Sequence, residues 1–283
     1  MNLFEIAGSM VHVVTAGKPQ SPPVLISSGL GGASFDWAPV IELLRDDYRV
    51  ICFDRPGMGL SPSSGTTPSL RAAVRELAAL AKWAGEPVTV VAHSMAAFHA
   101  EAFARIHPEL VRGLVLVDPS YERDARVRLR LANVFTPVYQ LTGTLLEITR
   151  LARVIGPWAR RQILPQVSLR GEIASSRTIR EVYGRGEVLA TVLTENQAYG
   201  EMAADLAGLR RRRPFPEIPL VVLSALGDLD TPERALFWVE RHAELAAMSP
   251  RGRQIELPES LHMLQLDRPD EIADAVAEVM SDA

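Results

Sequence analysis

Ser94 is the residue in this chain best placed to do chemistry. A β-favouring run, Val88-Thr-Val-Val91, leads straight into Ala92-His93-Ser94-Met95-Ala96, and a helical pattern follows at once. A serine between a strand and a helix, with small residues two before and two after it, has the spacing of a nucleophile elbow. In so sharp a turn, a side chain larger than methyl at either flank would strike the neighbouring backbone. The helix that starts after the serine turns its unpaired N–H groups and positive dipole end toward the reaction centre. Both flanks, Ala92 and Ala96, are alanine where glycine is usual, which predicts a strained elbow. The pentapeptide alone fits a buried serine at a strand end equally well, so the rest of the chain must supply the context.

A serine hydroxyl is a weak nucleophile at neutral pH. It needs a base within hydrogen-bond reach, and the base needs an acid to fix its tautomer. In a doubly wound sheet these groups come from loops at the carboxyl ends of strands. Two such loops follow the serine: Ala225-Leu-Gly-Asp228-Leu-Asp-Thr-Pro232, and Pro258-Glu-Ser-Leu-His262 running on to Pro269.

The order Ser94, Asp228, His262 is that of the α/β-hydrolase triad, and the chain resembles that superfamily over essentially its whole length. The resemblance implies Asp228 as the acid, in a G-x-x-D-x-x-T-P pattern with Ala225 in the glycine slot. It implies His262 as the base, seven residues before Pro269. It also implies an oxyanion hole from two backbone amides, that of Met95 and that of Leu30. Leu30 belongs to Ser28-Gly-Leu-Gly-Gly32, similar to the family's His-Gly-x-Gly with Ser28 in place of the histidine. That replacement raises the question of what stiffens the loop. Asp54-Arg-Pro-Gly-Met-Gly-Leu-Ser61 resembles the family's D-x-R-G-x-G-x-S turn and reads as structural.

Each assignment has a rival. Asp118 follows the strand Val111–Val117, from which some α/β-hydrolases recruit the acid; Asp228 ranks ahead of it. Asp228 could also serve the helix opened by Thr231-Pro232, although Asp230 is better placed there. His12, His99, His107 and His242 read as structural or solvated, His242 on an exposed helix. The side chain of His93 should point away from that of Ser94.

Strands and helices alternate through Val117: strands at Val24–Ser28, Tyr48–Phe53, Val88–Val91 and Val111–Val117, and helices at Leu70–Ala84 and Met95–Ile106. This predicts an α/β fold, a mostly parallel, doubly wound sheet, with a leading hairpin from Leu3 to Thr15. From about Tyr121 to Pro214 the pattern is wholly helical, with Pro137, Pro157, Pro165 and Gly184–Gly186 dividing it into four or five helices. The alternation resumes at Leu220. The expected organisation is therefore a core from 1–120 and 215–283 with an inserted all-helical cap at 121–214. The cap holds 16 of the 30 Lys+Arg and only 9 of the 34 Asp+Glu, so it is basic beside an acidic core. Its apolar residues, such as Val134–Leu141 and Leu145–Ile155, are expected to face the Ser94 pocket while arginine stems point outward.

Composition excludes several classes. There is no Walker or dinucleotide loop, no metal-ligand motif and a single cysteine, so no cofactor, no metal and no intrachain disulfide is expected. The cap arginines are spread through apolar helices with few aromatics, which does not suit a nucleic-acid partner. No run is long and apolar enough for stable membrane insertion, and the first residues lack the pattern of a signal peptide, so a cytoplasmic protein is expected. The oligomeric state is open. The expected activity is hydrolysis of a carboxylic ester of a small, hydrophobic molecule through an acyl-enzyme. Thioesters, lactones, amides and carbon–carbon bonds use the same parts. A non-catalytic small-molecule binding protein on the same fold is one alternative, and association of the cap with a lipid surface is another.

Overall fold

The structure is a computed structural model; residues 2–123, 125–127, 129–227 and 229–282 are described. Eight strands form one sheet in the order β1-β2-β4-β3-β5-β6-β7-β8. They are β1 (Leu3–Ile6), β2 (Ser9–Ala16), β3 (Pro23–Ser27), β4 (Arg49–Phe53), β5 (Val88–His93), β6 (Val111–Val117), β7 (Leu220–Ala225) and β8 (Gly252–Leu257). The β1–β2 and β2–β4 pairs are antiparallel and every later pair is parallel. Strands β3 and β5 are buried at every position, as central strands covered on both faces must be.

Helices α1 (Ala38–Leu44) and α10 (Pro269–Ser281) pack on one face. Helices α2 (Leu70–Ala84), α3 (Ala96–Ile106) and α8 (Pro232–Ala246) pack on the other. Local sequence explains α2. Ser69 caps it by accepting from the Ala72 amide, Gly85 ends it at φ 84°, and Leu70, Val74, Leu77 and Ala81 fall on the buried side at helical spacing. Leu77 is fully enclosed, so Leu77→Ala should cost about 2–5 kcal/mol. A short α9 (Leu264–Asp267) lies just before α10.

Between β6 and β7 lie α4 (Ala132–Ile148), α5 (Ala152–Val167), α6 (Ser176–Tyr183) and α7 (Gly186–Arg210). The prolines expected to divide this region lie inside helices instead: Pro137 in α4, and Pro157 and Pro165 in α5. The expected apolar lining is also reversed. On α4 the small or polar residues Ala132, Thr136 and Gly143 are buried, whereas Val134, Leu141 and Leu145 face solvent.

Candidate active site

Ser94 follows the last residue of β5 and sits at φ 53°, a left-handed conformation that costs a side-chain-bearing residue energy. The turn is held from both sides: the Ser94 amide donates to the Val117 carbonyl at 3.0 Å, and the Ser94 carbonyl accepts from Ser120 at 3.1 Å. Ala92 and Ala96 are fully enclosed, which is why the flanks must be small. The side chain of Ser94 remains partly accessible.

His262 lies in the loop after β8. Its Nε2 is 3.0 Å from Ser94 Oγ, and its Nδ1 is 2.5 Å from Asp118 Oδ2. Asp118 directly follows β6 and, like Ser94, is held at positive φ, 38°. Its other oxygen, Oδ1, accepts from the Ala225 amide at 3.0 Å and from Trp238 Nε1 at 3.1 Å. Burial opposes the charge on Asp118, but the His262 hydrogen bond and charge, His242 and the Trp238 N–H together hold its carboxyl below the ordinary range. The sequence ranked Asp228 above Asp118; the carboxylate found against His262 Nδ1 is that of Asp118, and Asp228 lies outside the described residues.

The loop after β3 lies directly against the serine. A Cβ on Gly29 would stand 2.8 Å from both His93 Nδ1 and Ser94 Cβ, so only glycine allows this approach. Met95 follows the serine in the chain and Leu30 follows Gly29, which approaches it in space; among the described residues neither amide donates in a backbone hydrogen bond outside the helices and strands. Ser28, in the slot of the missing histidine, accepts from Trp37 Nε1 at 3.0 Å.

Sequence reasoning missed two residues. Arg55 was read as part of a structural turn, yet its guanidinium reaches the carbonyls of both Ser28 and Gly29. Glu195 of α7 grips the same guanidinium through two 2.8 Å contacts, with both side chains buried. This fork supplies the stiffness the loop lacks without a histidine, and it ties the helical insertion to the loop. The rest of the turn is structural as expected: Asp54 accepts from Ser34, Leu60 and His12. His93 is the second. Its Nε2 is 2.9 Å from the His262 carbonyl, so it supports the loop carrying the base. Burial, reinforced by His262, lowers its pKa to about 3 and keeps it neutral, with one ring N–H free to donate. Its only sequence signal was its place at the strand end beside Ser94. His242, expected on an exposed helix, is buried and bonded to Ser224 Oγ and the Pro119 carbonyl.

A cavity of about 610 Å³ lies beneath α4 and α7, beside Arg55. Polar side chains including Glu76, His99, Thr136, Gln140 and Glu195 line it among apolar surface, and Ser94 is not in the lining. Glu76 makes no hydrogen bond or ion pair among the described residues, and burial raises its pKa to about 7. Among the described residues no group of His, Cys, Asp and Glu side chains could hold a metal ion.

Comparison with known proteins agrees with this architecture. The Mycobacterium tuberculosis protein named as the non-heme bromoperoxidase BpoC is 27% identical over 278 residues, covering 94% of this chain and 97% of that one. A Rhizobium rhizogenes protein named as the carbamate hydrolase RutD is 29% identical over 124 residues; that match spans about half of the relative, 47%, and 40% of this chain. The crystal structure of Cfl2 from Burkholderia cenocepacia superposes with a TM-score of 0.71 at 19% identity, covering 98% of this chain and 94% of that one, a likeness of fold. The alpha/beta hydrolase family model matches residues 24–275, nearly the whole chain. With an eight-stranded, mostly parallel sheet, a serine on the turn after β5 and a helical insertion after β6, the chain belongs to the alpha/beta hydrolase family.

Proposed function

We propose that this hydrolase cleaves carboxylic esters of small molecules through an acyl-enzyme, with Ser94 as nucleophile, His262 as base and Asp118 as the acid that orients it. The observation that carries the reading is the unbroken chain Ser94 Oγ–His262 Nε2, His262 Nδ1–Asp118 Oδ2, at 3.0 and 2.5 Å. An ionised Asp118 accepts the Nδ1–H, which leaves Nε2 unprotonated and facing the serine hydroxyl. As Ser94 Oγ attacks the acyl carbon, its proton passes to His262 Nε2. The carbonyl oxygen takes up negative charge between the Leu30 and Met95 amides. His262 then gives the proton to the leaving alkoxide. Water enters, loses a proton to His262, and attacks the acyl carbon to release the acid and restore Ser94.

Helices α4–α7 act in this reading as a cap over the site. The outward direction of Val134, Leu141 and Leu145 removes the cap argument for a hydrophobic acyl pocket, so no chain length is assigned to the substrate. The reading is tested with a fluorophosphonate probe and a panel of activated esters. Wild type should label, and Ser94→Ala should not. Ser94→Ala should also lose about 10³-fold or more in turnover while keeping its fold. Failure of the wild type to label would instead favour a binding protein that keeps the fold without the activity.

A further inference from the structure

Helices α4 and α5 are built inside out. On α4 the stripe Val134, Val138, Leu141, Leu145 and Ile148 recurs at helical spacing, and every member is exposed. The opposite side carries the small or polar residues that touch the protein. A Cβ on Gly143 would meet the Gly186 carbonyl oxygen at 2.5 Å, so α4 and α7 touch backbone to backbone. On α5, Ala152 and Gly156 face inward, with Leu164 near the end of the helix as the one large apolar side chain buried, and a Cβ on Gly156 would meet the Tyr183 carbonyl oxygen at 1.7 Å. Val154 and Trp158 point outward, at 68% and 61% exposure. Among the described residues, most of the large apolar side chains that stand exposed lie between 129 and 169. A contiguous apolar face of this extent is the mark of an interaction surface.

The charge on this face selects its partner. From residue 125 to 171 the sequence has one acidic residue, Glu147, and its carboxylate accepts from the Gly186 amide. Arg150, Arg153 and Arg161 are exposed beside the apolar stripe, with no carboxylate in salt-bridge range among the described residues. A second copy packed on this face would bring its own arginines toward these and offer no free carboxylate to pair with them. A bilayer containing anionic phospholipid offers hydrocarbon for the stripe, phosphate for the arginines and an interface for the Trp158 indole. No described helix is long and apolar enough to cross a membrane, so the helices would lie in the interface plane.

We propose that the outer face of α4 and α5 docks the enzyme reversibly on anionic phospholipid surfaces. The docked face is joined to the catalytic loop: the amide of Met263, next to His262, donates to the Val167 carbonyl at the end of α5 at 2.7 Å. Docking therefore holds the hydrolase site close to a membrane, where esters with apolar groups concentrate.

The test is flotation of the full chain with vesicles of phosphatidylcholine, with and without about a third phosphatidylglycerol. The protein should float with the anionic vesicles and bind on the order of 100-fold less tightly to neutral ones, the effect expected of three arginines at a charged surface. Trp158 emission should shift to shorter wavelength on binding, and Trp158→Phe should remove the shift. The triple variant Leu141→Ser, Leu145→Ser, Ile148→Ser should stay folded by circular dichroism, label with fluorophosphonate as wild type does, and no longer float. Ser94→Ala should float unchanged, which separates this inference from the catalytic reading. A monomer that ignores both kinds of vesicle would overturn the proposal. So would a non-floating dimer that the triple variant dissociates, since that result would give the face to a second copy of the chain.

Discussion

Asp118→Asn is the sharpest perturbation of the proposed triad. The Asp118 carboxylate faces three N–H donors: His262 Nδ1 on one oxygen, and Ala225 N and Trp238 Nε1 on the other. An asparagine has one acceptor oxygen and one NH₂ group, so it cannot serve both sides. If the oxygen stays with Ala225 and Trp238, the NH₂ faces His262 Nδ1. The imidazole must then take the tautomer with the proton on Nε2, where it points at Ser94 and cannot act as base. If the amide flips, the NH₂ is pushed against two buried N–H groups. The first arrangement keeps two hydrogen bonds and should win. The wrong tautomer has a precedent cost on the order of 10⁴ in kcat in serine proteases, about 5 kcal/mol of transition-state stabilisation. The assay is kcat/KM on an activated ester beside the rate of fluorophosphonate labelling, with circular dichroism to confirm the fold. Both rates should fall together, and Asp228→Asn should stay within about 10-fold of wild type by the same triad logic. If Asp118→Asn lost less than about 10-fold while Asp228→Asn lost several orders of magnitude, the acid would be Asp228 and not Asp118.

Other consequences follow from the buried charges. Glu195→Gln leaves Arg55 charged and enclosed without its anion, so thermal unfolding should report about 3–5 kcal/mol lost, with part regained in Glu195→Asp; a change below about 1 kcal/mol would mean the fork is open to water. Because Asp118 is held below the ordinary range, it stays ionised where His262 titrates, and activity should rise with pH along one limb as the imidazole loses its proton; a maximum below about pH 5 would contradict a histidine base. Glu76 is raised from 4.5 to about 7 in the folded protein, so the folded state binds the extra proton between those values. Its stabilising contribution is present at low pH and is lost as pH rises through about 7. Glu76→Gln should therefore match wild type near pH 4 and exceed it by about 1–2 kcal/mol at pH 8, a figure reduced for the solvent in the cavity; equal stability at both pH values would show that Glu76 is not desolvated.

Much of the fold could be read from the chain itself because its signals are local. Apolar runs of strand length alternate with helical periods, Ser69 and Gly85 bracket α2, and small residues surround Ser94, so the sheet, its helices and the elbow were expected where they lie. The place of His262, in the loop after the last strand, was legible for the same reason. The partner of its Nδ1 was not. Asp118 and Asp228 both follow strands, and side-chain reach across the neighbouring ends of β6 and β7 is a distance that neither pattern nor order encodes. The reach of Arg55 to Ser28 and Gly29, and the grip of Glu195 on it from 140 residues away, were equally invisible. The helical insertion shows the limit most plainly. Periodicity revealed that α4 and α5 each have an apolar side, but not which way it faces. A helix is turned by what it packs against, and here the close approaches at Gly143 and Gly156 set small residues inward and, Leu164 apart, leave most of the large apolar ones outside.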